Sequence, residues 1–186
     1  GSAVSACLVD VRSVAHGPND DIYIGDGIGR IRKIDAISGV IKTVAGIGLP
    51  GYTGDGGPAT KARIGTATGI RFDDKGSMYF ADSAANVVRK VDATGTVTTV
   101  AGTGKTGFSP DGTPAMQAAL DSPHGLALGP GGEIYICDSG NNRVRRIAAD
   151  GTLQTIAGGD TPGDFGDGGP ATLAGLNGPQ GICLYD

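Results

Sequence analysis

Apolar and polar positions alternate in short runs along this chain, and the clearest set lies between residues 125 and 157. Gly125-Leu126-Ala127-Leu128, Glu133-Ile134-Tyr135-Ile136-Cys137, Asn142-Arg143-Val144-Arg145-Arg146-Ile147 and Thr152-Leu153-Gln154-Thr155-Ile156-Ala157 each have the length and the branched apolar content of a β-strand. Between them stand Gly129-Pro130-Gly131-Gly132, Ser139-Gly140-Asn141 and Ala149-Asp150-Gly151. These residues tolerate positive φ and so favour tight hairpin turns. Three tight turns joining four strands predict an antiparallel meander.

The same pattern occurs three times. Tyr23-Ile24-Gly25-Asp26 returns as Tyr79-Phe80-Ala81-Asp82 and Tyr135-Ile136-Cys137-Asp138, a spacing of 56 (82 − 26 and 138 − 82). Val44-Ala45-Gly46 returns as Val100-Ala101-Gly102 and Ile156-Ala157-Gly158. The run Gly54-Asp55-Gly56-Gly57-Pro58-Ala59-Thr60 is repeated intact from Gly166 to Thr172, with a degraded copy, Pro110-Asp111-Gly112-Thr113-Pro114-Ala115-Met116, between. A fixed period of this size means units that bury their apolar faces on one another. Four strands per unit with evenly spaced turns make a propeller blade. The first unit is one residue short near Gly27 and one long near Ser38, so its length changes fall in predicted turns. After each fourth strand a glycine-rich connector ends in Pro-Ala and good helix formers, which predicts one or two helical turns. Ile64, Leu120 and Leu176 share one position and are expected to pin this segment to the sheet.

The expected organisation is therefore all-β: full blades at 13–68, 69–124 and 125–180, and the first strand of a further blade at 181–186. Residues 1–12 read as a non-repeating lead-in, with Gly1-Ser2 resembling a cleaved tag. Three blades do not close a ring and leave strand edges open. The chain is then either part of a longer protein or half of a two-chain ring.

Composition narrows the picture. Glycine contributes 35 of 186 residues and tryptophan none, so the core must be Val, Ile, Leu and Ala. A net charge of −4 argues against bulk nucleic-acid binding, which needs a strong positive field. Cys7, Cys137 and Cys183 have no metal-type spacing and permit one disulfide at most; Cys137 and Cys183 sit in apolar contexts and read as small buried hydrophobes.

Residues that obey the repeat are expected to serve structure. Asp26, Asp82 and Asp138 close strand two, and Arg32, Arg89 and Arg145 stand in strand three, where two adjacent basic residues break the period-two alternation. The aspartates are expected to cap the turn and to pair with a nearby arginine or backbone amides. One basic residue must lay its stem over the sheet. Asp55, Asp111 and Asp167, in glycine-rich loops, are the candidates for a cation such as Ca²⁺, although their spacing is not that of an EF-hand. His16 and His124 are the only histidines and are not equivalent in the repeat. No Gly-x-Ser-x-Gly elbow and no phosphate-binding glycine loop with its lysine is present.

Asp121-Ser122-Pro123-His124-Gly125-Leu126-Ala127-Leu128, followed by Ile134-Tyr135-Ile136-Cys137-Asp138-Ser139-Gly140-Asn141-Asn142-Arg143-Val144, resembles the NHL repeat. The Gly-Asp-Gly-Gly-Pro-Ala connector resembles NHL repeats of bacterial extracellular proteins and teneurin-type propellers. The resemblance implies a ring of about six blades, with His124 as a structural signature residue. It also implies a non-enzymatic binding or protein-interaction module and an extracellular or periplasmic setting. Three chains of implication remain open beside it. The family fold also hosts lyases and hydrolases with an axial, metal-assisted site, and some members bind single-stranded RNA. A third is pairing through the open blade edges, with three blades from each of two chains forming a homodimeric ring.

Overall fold

The computed structural model describes residues 1–185. Twelve strands form three separate four-stranded antiparallel sheets in chain order, as the meander predicts. The first blade holds β1 (Val11–His16), β2 (Ile22–Asp26), β3 (Arg30–Ile34) and β4 (Ile41–Ala45). The second holds β5 (Ala67–Phe72), β6 (Met78–Asp82), β7 (Val87–Val91) and β8 (Val97–Ala101), and the third β9 (Pro123–Leu128), β10 (Ile134–Asp138), β11 (Arg143–Ile147) and β12 (Leu153–Ala157). Among the described residues there is no α-helix. The inner strands β1, β5 and β9 pack side by side from blade to blade.

Strand register confirms the placement of the first unit's length changes. Arg32 faces Ile24 and Thr43, as Arg89 faces Phe80 and Thr99 and Arg145 faces Ile136 and Thr155. The short turn of blade one uses Gly29 at φ 82°, whereas the longer turns use Asn86 and Asn142 at φ 56° and 54°. The last glycine of the Val-Ala-Gly motif is fixed by space as well as by φ. At Gly102 (φ 94°) a Cβ would lie 2.3 Å from the Asn86 carbonyl oxygen, so the chain cannot leave the outer strand with a side chain there.

The core lies between blades. Ile31, Ala45, Ile64, Ala67, Ile70, Phe80 and Val97 form one cluster across blades one and two. Val88, Ala101, Leu120, Leu126, Ile136 and Leu153 form the next across blades two and three. Ile64 and Leu120 are fully buried in these seams, while Leu176, with no blade beyond it in the structure, is only half-buried.

Several expectations are corrected. The connector's helical turns are single 3-10 turns, Ala59–Lys61, Ala115–Gln117 and Ala171–Leu173, each entered from a proline. With three residues apiece they are too short for an α-helical hydrogen-bond ladder. Residues 181–185 join no ladder among the described residues, and Asp186 lies outside them. Cys183 is consequently exposed, whereas Cys137 is buried as expected, and all three cysteines are free. Residues 1–5 are no irregular lead-in. They form a 3-10 turn at Ala3–Ser5 and bridge Ser2 to Val40, 56 residues before the Pro58–Thr96 bridge.

Leu120→Ala should cost about 2–5 kcal/mol, the range for emptying a closed core site. Leu176→Ala at the same repeat position should cost less than about half as much, because solvent already reaches it. Urea unfolding of both variants measures the contrast.

Candidate functional site

The strand-three arginines of blades two and three are consumed by the joints between units. Arg89 is fully buried. Its guanidinium donates to the Arg63 carbonyl at 3.0 Å, to the Thr53 carbonyl at 3.1 Å and to Asp55 Oδ1 at 2.5 Å. Asp55 Oδ2 accepts the Thr99 amide at 2.9 Å. One period later, Arg145 donates to the Ser109 carbonyl at 3.0 Å and to Asp111 at 3.2 Å, and Asp111 accepts the Thr155 amide at 2.9 Å. Tyr52 lies 5.4 Å from the Arg89 guanidinium, and Phe108 lies 5.1 Å from that of Arg145. Each connector thus hands a carboxylate and an aromatic ring to the arginine of the following blade.

This changes the roles assigned from sequence. Burial raises the Asp55 carboxyl, but its bonds from Thr99 and Arg89 prevail and hold it below the ordinary carboxylate value. Asp55 and Asp111 are ligands of guanidinium and strand amide. Neither belongs to a group of three or more His, Cys, Asp or Glu side chains, and no such group forms among the described residues. Asp167 is exposed and, among the described residues, forms no ion pair.

The strand-two aspartates are all buried, but they do not chiefly pair with arginine. Asp82 accepts the Gly65 amide through both oxygens, at 3.0 and 2.9 Å, and the Thr66 amide at 3.1 Å. Asp138 accepts the equivalent Asp121 amide at 2.8 Å and the Asn141 side chain at 2.8 Å; its Arg145 contact is 3.9 Å. Asp26 instead accepts Ile28 and Arg30 amides within its own shorter turn, at 3.3 and 2.8 Å. Burial pushes the Asp82 and Asp138 carboxyls above their ordinary value despite these amides.

The head of the inner strand is one of the places where the repeat does not keep its chemistry. Arg12, Thr68, His124 and Gln180 are 56 apart in sequence and differ in chemistry. They come together with Arg71 along the inner strands, lining a cleft of about 330 Å³. Arg71 donates to the Ile70 and Ile182 carbonyls, which ties residues 181–185 to β5. Arg12 is half-exposed and paired with Asp10 at 2.6 Å. Burial, helped by the Arg12 charge, lowers the His124 pKa. His16, by contrast, pairs with Asp20 on the exposed side. A larger cleft of about 550 Å³ lies between blades two and three, but its polar groups satisfy one another: Lys90 and Tyr79 both meet Asp73, and Lys90 lies over the Tyr79 ring. The inner-strand cleft is therefore the better candidate site. Sequence reading weighed His124 alone and missed Arg12, Arg71 and Gln180. The available signal was the change of polar side chain from unit to unit at the head of the inner strand.

Comparison with known proteins fits this architecture. The NHL repeat model matches residues 120–147, and the teneurin NHL domain model matches residues 49–110. The chain belongs to the NHL-repeat family. Among curated relatives of this NHL chain, Protein SUPPRESSOR OF QUENCHING 1, chloroplastic, of Arabidopsis thaliana is 32% identical over 72% of the chain and 13% of the relative. Teneurin-3 of Mus musculus is 31% identical over 74% of the chain and 6% of its own length. The chain thus spans only a small part of the curated relatives it matches. A structural genomics protein of unknown function from Bacteroides thetaiotaomicron superposes with a TM-score of 0.74 at 19% identity, covering 94% of this chain and 42% of that one. An auxiliary nutrient binding protein from the same organism gives 0.67 at 21%, over 92% and 42%. These two likenesses establish the propeller fold. Among the described residues no helix is long and apolar enough to cross a membrane.

Asp138→Ala should lower stability by about 1–3 kcal/mol, since it strips the part-buried Asp121 amide and the Asn141 side chain of their acceptor; thermal melting measures it. His124 contributes a pH dependence of known sign. Its folded pKa lies below the ordinary 6.5, so its contribution is full above about pH 6.5 and is lost as pH falls toward the folded value. The drop in Tm from neutral pH to about 5 should therefore be smaller in His124→Gln than in the parent protein.

Proposed function

We propose that this chain is a non-enzymatic NHL-repeat propeller segment that acts as a binding or protein-interaction module. Its ligand meets the cleft along the inner strands, and its open blade edges are joining surfaces. One observation carries the reading: the repeat keeps its shared residues for joints and varies its chemistry at Arg12, Thr68, His124 and Gln180. A position freed from the structural code, facing a cleft, is where a repeat scaffold carries recognition. A guanidinium, a primary amide and an imidazole favour a partner rich in oxygen acceptors, such as an acidic peptide segment.

A fluorescent hexaglutamate peptide serves as the probe. It should bind the purified protein with an affinity that falls as salt rises, because Arg12 is partly exposed. Arg12→Ala and Gln180→Ala should each weaken binding by about fivefold or more, roughly one lost polar contact. Fluorescence anisotropy reads the effect. Unchanged binding in both variants would remove the cleft from the interaction, and turnover of ester or lactone substrates would favour a hydrolase instead.

A further inference from the structure

The two internal seams of the array close differently at the ends of their inner strands. Between blades one and two the Tyr23 ring is capped by the Phe72 ring, with centroids 4.5 Å apart. Against it lies Gly17, where a Cβ would meet the Tyr23 ring at 2.3 Å. Lys33 is bonded directly to the buried Asp21. One period later Tyr79 and Lys90 recur, but Gly17 becomes Asp73, Asp21 becomes Ser77 and the capping Phe72 becomes Leu128. An aliphatic side chain stands where the first seam has a ring, and there the second seam opens into the cleft of about 550 Å³. That volume is within the range of small-molecule sites, about 300–1,000 Å³. Apart from Leu184, the lining residues all belong to blades two and three.

Asp73 is a fixed acceptor at the rim of this cleft. Its Oδ1 accepts two amides of its own turn, from Ser77 at 2.7 Å and from Lys75 at 3.1 Å. Its Oδ2 is held only by the Tyr79 hydroxyl at 3.3 Å and faces Lys90 Nζ at 3.8 Å. Contacts this long leave the oxygen, the hydroxyl and the ammonium able to bond a ligand instead. The Lys90 and Asp73 side chains are 30% and 25% exposed, within reach of a ligand but not freely solvated. Both are charged. Tyr79 and Asp73 raise the Lys90 pKa, while burial raises that of Asp73 but the bonds from Ser77 and the Lys90 charge prevail and keep it below its ordinary value. Phe72, Leu128 and Pro130 supply apolar surface. The charges of the lining cancel, Asp73 and Asp74 against Lys75 and Lys90. Glu133 lies outside the lining and accepts the Gly131 amide of its own turn at 3.0 Å.

The geometry points to a second binding site in this seam, for a small neutral polyhydroxylated ring such as a pyranose sugar. A lining without net charge offers no general attraction to an ionic ligand. It does offer a donor and an acceptor side by side, and a hydroxyl group can serve as either partner. One ligand hydroxyl donates to Asp73 Oδ2 and a neighbouring one accepts from Lys90, while the C–H faces of the ring lie on the apolar side chains. A carboxylate on the ring would meet Asp73 and Asp74, and an ammonium would meet Lys75 and Lys90, so either charge carries a penalty. The site is separate from the inner-strand cleft and uses neither Arg12, His124 nor Gln180.

An amide NMR titration tests the site with methyl glucoside, methyl galactoside and methyl mannoside. Each is taken to about 50 mM, enough to reveal Kd values up to roughly 10 mM. At least one should shift the amides of Lys75, Gly131 and Gly132. Glucuronate and glucosamine should bind at least about fivefold more weakly than that sugar. Lys90→Ala should weaken binding by about fivefold or more, the loss of one charged hydrogen bond. Leu128→Phe restores the capping ring of the first seam, so it should keep the parent melting curve, fill the cleft and reduce binding by more than about tenfold. Hexaglutamate binding should be unchanged in Leu128→Phe, which separates failure of this site from failure of the inner-strand cleft. No shift with any of the neutral sugars would overturn the site, as would undiminished binding in folded Leu128→Phe. Lys90→Ala stands as the test if Leu128→Phe does not fold, and undiminished binding there has the same meaning. Tighter binding of glucuronate or glucosamine would overturn the assignment of a neutral ligand.

Discussion

A fully buried guanidinium in the third strand of a blade is tolerable only if something brings it a carboxylate. Arg89 and Arg145 are such groups, and each carboxylate comes from the connector of the preceding unit. Removing one member of a buried pair costs several kcal/mol, because the remaining charge is left without solvent. The pair therefore works less as a source of stability than as a registration device. Seating each of these connectors sets its aspartate at the guanidinium and places Ile64 or Leu120 in the seam. Blade geometry, apolar burial and chain path are fixed together, and each unit depends on its neighbour, as in other repeat arrays.

Asp55 and Asp82, which both meet the first connector, respond oppositely to protons. Asp55 is held below its ordinary pKa, so its contribution is present above the unfolded value and is lost as pH falls through the folded one. Asp82 is raised by burial, so the folded state takes up its proton first and the penalty of its charge is relieved as pH falls. Acid thus loosens the contact of the connector with the arginine while relaxing the carboxylate under its last turn. The two carboxylates that hold this connector therefore do not titrate as a single acid-labile latch.

The period, the four-strand meander and the location of the first unit's length changes were legible in the sequence, because each rests on local chemistry: alternation, turn residues and spacing. What escaped was non-local. Asp55 and Arg89 are 34 residues apart and belong to different units, so nothing in a single repeat announces their pairing. Asp82 reaches 17 residues back to the connector, while Asp26 serves its own turn, and the one-residue difference at Gly27 decides between them. Residues 1–5 were misread because Ser2 replaces the proline of the Gly-Pro-Ala motif. Their backbone bonds to Gly39 and Ile41, which no composition rule reports, reveal the register.

The site was harder to read for the same reason that it is informative. Repetition marks what every unit needs, which here is the Asp–Arg joint and the glycine at the strand exit. Recognition needs the opposite, a position that each unit can fill differently without disturbing its neighbours. The inner strands provide it: their backbones touch closely enough to exclude a Cβ at Gly69 and Gly125, so the adjacent residues turn toward the cleft. Arg12, Thr68, His124 and Gln180 share that place in the pleat and little else. Of the four, Thr68 alone is drawn into the fold, donating to the Ala81 carbonyl at 3.3 Å. A scaffold that takes its rigidity from between-blade pairs leaves its inner rim free to vary, and there the side chains change from unit to unit.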